Sequence, residues 1–300
     1  MLRKKRRRGD EDKLKSMITY TKRTKRYRNL HPHLKSLDAM VGMQTLKCAI
    51  VAQLQFLMAN GGKLDDHFLN TSISGPPGCG KTSVAQILFN IWNSVNSGKS
   101  DREFHILHRS DFVGSYMGHT ANKTLKMLRK HSGHVIFLDE AYTLVTGDKD
   151  EYGKEALDQL NAFMSEEKSN TIVIIAGYEN ELEEHFFSCN EGLRRRFGWF
   201  FKVSDYTAQE LYRIFILQLE RHGWTVVENC EHLFVHNYKK FENAGGDCHN
   251  IAFKAKLEYS GRFWNKKKQT KCLKLSDIQK GFDDHFVHNI RNDHTASMYI

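Results

Sequence analysis

Two periodicities alternate along the chain, and their order predicts its architecture. From Met43 to Met58 the apolar residues Leu46, Ile50, Leu54 and Leu57 recur at helical spacing, and Asn60-Gly61-Gly62 ends the run. Five short apolar runs then read as strands: Thr71–Ser74, Phe104–His108, His134–Leu138, Thr171–Ala176 and, with the poorest pattern, Phe200–Val203. Helical patterns over Thr82–Ser94, Ala121–His131, Lys154–Ser165 and Glu179–Phe187 lie between them. Strand alternating with helix predicts an α/β fold, a parallel sheet flanked by helices with right-handed crossovers. Its ligand crevice belongs at the carboxyl ends of the strands. After Thr207 the strand pattern stops. Ala208–His222, Cys230–Phe241, Asn250–Phe263 and Ser276–Phe286 read as helices and predict a small helical lid domain. The expected organisation is a tail at 1–36, an α/β domain at 37–206, a lid at 207–287 and a second tail at 288–300.

Charge separates the first segment from the rest. Residues 1–36 hold fourteen Lys and Arg against three acids, a net +11, whereas the remainder is near neutral at −1. Polar, basic and poor in apolar periodicity, this segment reads as mostly disordered, with at most a transient helix. The Arg3–Arg8 run is compatible with a nuclear-localisation signal, a nucleic-acid anchor or a solvated tail, and the sequence leaves the three open. The near-neutral body gives no reason to read it as a nucleic-acid binder. Six cysteines are scattered without a CxxC pair, which suits a reducing, intracellular, cytoplasmic setting. No apolar stretch approaches the ~20 residues that span a bilayer, so no membrane partner is expected. The basic N-terminus lacks the apolar run of a secretory signal.

One loop carries the clearest chemistry. Gly75-Pro76-Pro77-Gly78-Cys79-Gly80-Lys81-Thr82 fits G-x-x-x-x-G-K-[ST], follows a strand and opens a helix that continues through Ser83. Glycines let backbone N–H groups turn toward phosphate oxygens, and the helix N-terminus favours anions. Lys81 is placed to reach the β- and γ-phosphates of ATP, and the Thr82 hydroxyl to ligate Mg²⁺. Cys79 occupies a variable position of the loop. A thiol there could be oxidised and block ATP, but a small filler is the ordinary role.

About sixty residues later, His134-Val-Ile-Phe-Leu-Asp139-Glu140 is an apolar strand ending in two acids. In isolation such a pair could simply cap the following helix. Downstream of a phosphate-binding loop it reads as the Walker B arrangement. Asp139 then binds Mg²⁺, directly or through water, and Glu140 polarises the attacking water as general base.

Further motifs make a resemblance specific. They are Leu37-Asp-Ala-Met-Val-Gly42, Ser110-Asp-Phe-Val-Gly-Ser-Tyr116-Met-Gly-His-Thr120, Leu138-Asp-Glu-Ala-Tyr-Thr-Leu144, Tyr152-Gly-Lys-Glu-Ala-Leu-Asp158, Ile175-Ala-Gly-Tyr178, Asn190-Glu-Gly-Leu-Arg-Arg-Arg-Phe197 and Asp205-Tyr-Thr207. In this order they resemble the AAA+ ATPases, and within them the family of the red-type Rubisco activase CbbX and the sporulation protein SpoVK. The likeness runs from Leu37 to about Tyr206 and more weakly to about Phe263.

The resemblance implies the P-loop NTPase sheet of an AAA+ large domain with a helical lid. It places Val41 and Gly42 at the adenine pocket, although a helix-entry turn accounts for the same residues. It implies that Tyr116, Met117 and Gly118 form a loop facing the pore of a homo-oligomeric, hexameric ring, where an aromatic side chain grips a protein client. Tyr116 as a buried loop aromatic is the plainer alternative. The resemblance also places an arginine finger, given to the neighbouring subunit's γ-phosphate, at Arg196, with Arg194 second. A solvated basic turn is the alternative there. Two positions depart from the AAA+ pattern. Tyr178 stands where a polar sensor, often Asn, is usual, with Asn180 two residues on. His249 stands where the lid's arginine is usual, and an imidazole contacts a γ-phosphate firmly only when protonated. Asp247-Cys248-His249 has metal-ligand residue types, but nothing at ligand spacing accompanies it.

Overall fold

A computed structural model gives the fold and describes residues 2–61, 69–95, 102–114, 116, 118–147, 149–166, 170–263 and 270–296. The chain divides into two compact units, Met1–Pro76 with Lys81–Ser204, and Pro77–Gly80 with Asp205–Ile300.

The first unit is built on five parallel strands, β1 (Thr71–Ser74), β2 (Phe104–Leu107), β3 (Val135–Leu138), β4 (Ile172–Gly177) and β5 (Trp199–Lys202). Their order is β2-β3-β4-β1-β5. Every residue of β3 and β4 is buried, which is why both read as unbroken apolar runs. Edge strands β2 and β5 are mixed, with Ile106 and Phe200 exposed. Buried Asn70 fixes the register just before β1. Its Oδ1 accepts the Val173 N–H at 2.8 Å, and its Nδ2 donates to Arg196 O at 2.9 Å.

Helices α1 (Leu2–Arg23), α2 (His31–Ala39), α3 (Gln44–Ala59), α4 (Lys81–Val95), α5 (Arg109–Phe112), α6 (Thr120–Lys130), α7 (Glu151–Met164), α8 (Glu179–Glu181) and α9 (Glu191–Arg194) complete this unit. A core of Ile136, Leu138, Leu157, Val173, Ile175 and Phe186 joins β3 and β4 to α7 and the turn after α8. That turn, Leu182–Phe187, is a wider π-type helix where a regular helix was expected.

The basic N-terminal segment corrects the expectation of disorder. α1 packs on α2 and α3. Leu14, Met17, Tyr27, Leu30 and Leu34 are at most 8% exposed, and Leu30 and Leu34 are fully covered. Apolar side chains are sparse here, but the segment packs against α3 and α4, which are distant in sequence, so tertiary burial outweighs the polar composition.

The second unit contains α10 (Ala208–Glu220), α11 (Glu231–Asn237), α12 (Gly245–Phe263) and α13 (Leu275–Ala296). Thr207 caps α10 by accepting the Glu210 N–H, and the Glu210 carboxylate answers at the Thr207 N–H. Phe215, Phe234 and Phe282 form its aromatic centre, with Phe234 5.2 Å from Phe215 and 4.9 Å from Phe282. Three details differ from expectation. Two-residue strands β6 (Thr225–Val226) and β7 (Cys272–Leu273) pair in parallel. α12 begins at Gly245 rather than Asn250. The expected tail at 288–300 continues α13 as far as Ala296.

Candidate functional site

β1 delivers the phosphate-type loop and α4 leaves it. The Gly75 N–H donates to Gly177 O at 3.2 Å, holding the start of the loop against the end of β4. Lys81, 9% exposed, donates through Nζ to Gly75 O and Pro76 O, each at 2.9 Å. Its ammonium also lies 5.0 Å from the Tyr178 ring centre. A cation so placed, with neutral carbonyls and a ring face as its partners among the described residues, fits an anion brought to the loop.

Thr82 Oγ1 donates to Asp139 Oδ2 at 2.8 Å, so the first turn of α4 and the end of β3 put a hydroxyl and a carboxylate together. Two oxygens of this kind are what Mg²⁺ takes from protein beside phosphates and water. Ser83 follows them, exposed, on α4. Glu140 has a left-handed backbone, φ +49°, and is held by Thr143, whose N–H and hydroxyl donate to Glu140 O at 2.8 and 2.7 Å.

Tyr142 and Tyr178 stack with ring centres 5.6 Å apart. Burial, then the neighbouring Glu140 carboxylate, push the Tyr142 hydroxyl up to about 12. Gly177 is required beneath this stack, since a Cβ there would come within 2.9 Å of Tyr142 Cδ1. Tyr142 lies in the Leu138–Leu144 motif, where its residue type alone assigns it no role. Its proximity to Glu140 is its signal.

Pro77–Gly80 group with the second unit. Gly78 has φ +65°, and a Cβ there would lie 1.9 Å from Asn243 O, so position 78 admits only glycine on two counts. Gly78 O accepts the Gly245 N–H at 3.2 Å. Gly80 has φ +88°. Cys79 is buried, and its carbonyl accepts the Tyr206 hydroxyl at 2.8 Å. Burial pushes that hydroxyl well above the ordinary phenol range and keeps it a neutral donor.

In the same unit Asp247 turns inward. It accepts the Glu242 and Asn243 N–H groups at 2.9 and 2.7 Å and meets His285 Nε2 at 3.0 Å. His249 is exposed, so the Asp247-Cys248-His249 run is split between core and solvent and forms no metal site. His285, with no sequence pattern of its own, is the residue that pairs with Asp247.

The remaining candidates separate. Val41 and Gly42 lie in the turn before α3, with Gly42 at φ +65°, and Lys47 Nζ ties that turn by donating to Asp38 O and Met40 O. Asn180 is exposed on α8. Tyr116 is 69% exposed and Gly118 has φ +77°, so Tyr116 is no buried aromatic. Met117 lies outside the described residues. Arg194 pairs with Glu183 and lies over the Phe187 and Phe200 rings at 5.4 and 4.8 Å. Arg196 is half-buried, and its Nε has no hydrogen-bond partner among the described residues. Of the two candidate fingers, Arg194 is therefore engaged within its own subunit.

Arg109, which sequence did not single out, joins two parts of the first unit. Its Nη1 donates to Thr143 O at 3.3 Å and to Leu144 O, and pairs with Asp150 Oδ2 at 2.7 Å. Asp150 also caps α7 by accepting the Gly153 N–H at 2.9 Å. Burial disfavours the charged carboxylate, but Arg109 and the Thr146 and Gly153 N–H groups outweigh it and hold the Asp150 carboxyl well below the usual range. Gly153 makes the approach possible, because a Cβ there would lie 2.3 Å from Leu144 O.

At the opposite end of β2 and β3, Glu103, His105 and His134 bring ligand-type atoms within 4.8 Å of one another. The Glu103 N–H already donates to His134 Nδ1 at 3.0 Å, and the Glu103 carboxylate lies 3.3 Å from His105 Nε2, a buried nitrogen with no hydrogen-bond partner among the described residues.

Known proteins share this layout. The ATPase family associated with various cellular activities (AAA) matches residues 71–204. A cfxQ-like protein of Acanthamoeba polyphaga mimivirus is 32% identical over 87% of this chain and 66% of its own length. Stage V sporulation protein K of Bacillus subtilis is 33% identical over 66% of this chain and 62% of its own length. The chain thus spans just under two thirds of these two relatives. The chloroplastic ribulose bisphosphate carboxylase/oxygenase activase of Cyanidioschyzon merolae is 32% identical over 67% of this chain and 71% of its own length. Among solved structures, a Thermotoga maritima RuvB mutant superposes with a TM-score of 0.59 at 16% identity, covering 82% of this chain and 71% of its own, a likeness of fold. Among the described residues no helix is long and apolar enough to cross a membrane. With its five-stranded parallel sheet, phosphate-type loop and matched relatives, this chain belongs to the CbbX/SpoVK-like AAA+ ATPases.

Proposed function

We propose that the protein hydrolyses ATP with Mg²⁺ in a homo-oligomeric ring, a hexamer, and uses the cycle to remodel a protein client. The observation that supports this most directly is the 2.8 Å contact between Thr82 and Asp139, a hydroxyl and a carboxylate placed for one Mg²⁺. Lys81 and the loop N–H groups bind the triphosphate, and bound Mg²⁺ supplies charge neutralisation there. Glu140 takes a proton from the attacking water. Arg196 of a neighbouring subunit stabilises charge on the transferred group. A ring of heterologous contacts brings that arginine to each site. Tyr116, exposed and two residues before the left-handed Gly118, suits contact with an extended polypeptide.

Steady-state phosphate release tests the reading. Lys81→Ala, Glu140→Gln and Arg196→Ala lose activity, whereas Tyr116→Ala keeps ATPase and loses remodelling. Wild-type turnover by Glu140→Gln would overturn the mechanism.

A second reading, a nucleic-acid-associated ATPase, is favoured by the +11 charge of residues 1–36. It requires stimulation by DNA or RNA that falls steeply with salt. A nucleotide-switched scaffold, the third reading, requires tight ATP binding with negligible turnover at protein concentrations where rings form.

A further inference from the structure

The catalytic carboxylate and the proposed client-gripping tyrosine sit at opposite ends of one continuous set of bonds, and Arg109 is its middle. At one end Thr143 holds the left-handed Glu140 backbone through two bonds to the same carbonyl. Arg109 then grips the next two carbonyls of that turn, Thr143 and Leu144, and the Asp150 carboxylate beyond it. Arg109 is also the first residue of α5, a four-residue helix started by Asp111, whose carboxylate accepts the His108 N–H at 2.8 Å.

From α5 the chain is held as far as Gly114, and Tyr116 O separately accepts the His119 N–H at 3.2 Å. Lys123 Nζ donates to Ser110 O and Val113 O at 2.7 and 2.8 Å, Thr124 donates to Phe112 O at 3.0 Å, and the Gly114 N–H donates to Thr120 Oγ1 at 3.1 Å. A Cβ on Gly114 would lie 2.9 Å from the His119 side chain, so the segment is also sterically confined. Residues 109–114 thus meet the 140–150 turn in two ways, through the polar contacts of Arg109 and through Phe112, which shares a buried core with Ala141, Leu144 and Val145.

We infer that Arg109 is a positioning residue that couples the Tyr116 loop to Glu140. Its contacts are to Thr143 O, Leu144 O and Asp150, and through them it sets the turn that presents the general base. All three contacts converge on Nη1, which lies one bond farther from the backbone than a lysine Nζ, so an ammonium on the shorter side chain would fall short of them. The inference rests on the ATPase and pore-loop reading above, and its test separates the two.

In the full-length protein, Tyr116 is replaced by 4-trifluoromethyl-phenylalanine and read by ¹⁹F NMR. The ATP-loaded Glu140→Gln form is compared with the ADP form of the otherwise native chain. Two distinct signals are expected with Arg109, and one common signal when both forms carry Arg109→Lys. With Glu140 intact, Arg109→Lys should lower kcat about tenfold and leave nucleotide Kd within about twofold. Arg109→Lys keeps the charge and is the variant least disposed to unfold. Asp150→Asn, checked for folding by circular dichroism, should reproduce its effect.

Persistence of two signals with unchanged kcat in Arg109→Lys overturns the inference. So does a single signal for both nucleotides when Arg109 is present. A parallel fall of kcat, nucleotide affinity and melting temperature would reduce Arg109 to a structural role and also overturn it. If Glu140→Gln hydrolyses ATP at the native rate, the underlying functional reading fails instead.

Discussion

Thr82 Oγ1 donates a 2.8 Å hydrogen bond to Asp139 Oδ2, joining the first turn of α4 to the end of β3. The bond keeps two oxygen donors within reach of one small cation. Thr82→Ala and Asp139→Asn should each lower kcat by about a hundredfold or more, because charge on the transferring phosphoryl group loses its counter-ion. Raising Mg²⁺ should recover part of the loss in Thr82→Ala and little in Asp139→Asn. Phosphate release titrated against Mg²⁺ reads both. Equal recovery in the two variants would contradict unequal roles for hydroxyl and carboxylate.

Arg194 and Arg196 should part company in a mixing experiment. Arg196→Ala is expected to lose about a thousandfold in kcat, in line with arginine fingers. Mixing it with Lys81→Ala should restore activity, since each subunit type brings what the other lacks. Arg194→Ala should lower the melting temperature through its lost Glu183 and aromatic contacts, with far smaller loss in turnover. No recovery at any mixing ratio would argue against a finger given in trans.

The N-terminal segment offers a stability test. Leu34 is fully buried and Lys15 exposed. Leu34→Ala should cost about 2–5 kcal/mol by urea denaturation, and Lys15→Ala within about 0.5 kcal/mol. A negligible effect of Leu34→Ala would mean that this segment is undocked in solution.

Asp247 predicts a pH dependence. Burial opposes its charge, but His285 and the Asn243 and Glu242 N–H groups outweigh that and hold the carboxyl below its ordinary value. A depressed folded value gives stability that is fully present above the unfolded carboxylate value of about 4 and is lost as pH falls through the folded value. Asp247→Asn should therefore be less stable than the native chain at pH 7, with the gap narrowing below about pH 4. Melting temperature against pH measures it, and a gap that stays constant to pH 3 would remove Asp247 as its source.

The sheet was legible in the sequence because β3 and β4 are buried on both faces and so spell continuous apolar runs. The phosphate-type loop was legible because its glycines answer to backbone geometry, as Gly78 and Gly80 do here. The docked N-terminal segment was hidden. Leu30 and Leu34 are scattered among charges and gain meaning only against α1 and neighbouring helices. His285 and Arg109 were hidden for a related reason. Each acts on a residue 38 or 41 positions away, a distance that no local pattern encodes.

Glu140 finally constrains how a nucleotide-trapped form is best made. Its backbone is left-handed, a region that β-branched residues enter at high cost and asparagine or glycine enters easily. Valine or threonine at 140 would disturb the turn that Thr143 and Arg109 hold, and a lost activity would then report on the loop as well as on the base. Asparagine would ease the backbone but withdraw the polar head by one methylene. Glutamine keeps both reach and shape, so a trapped form intended to test for the proposed ring and its client is best built on Glu140→Gln.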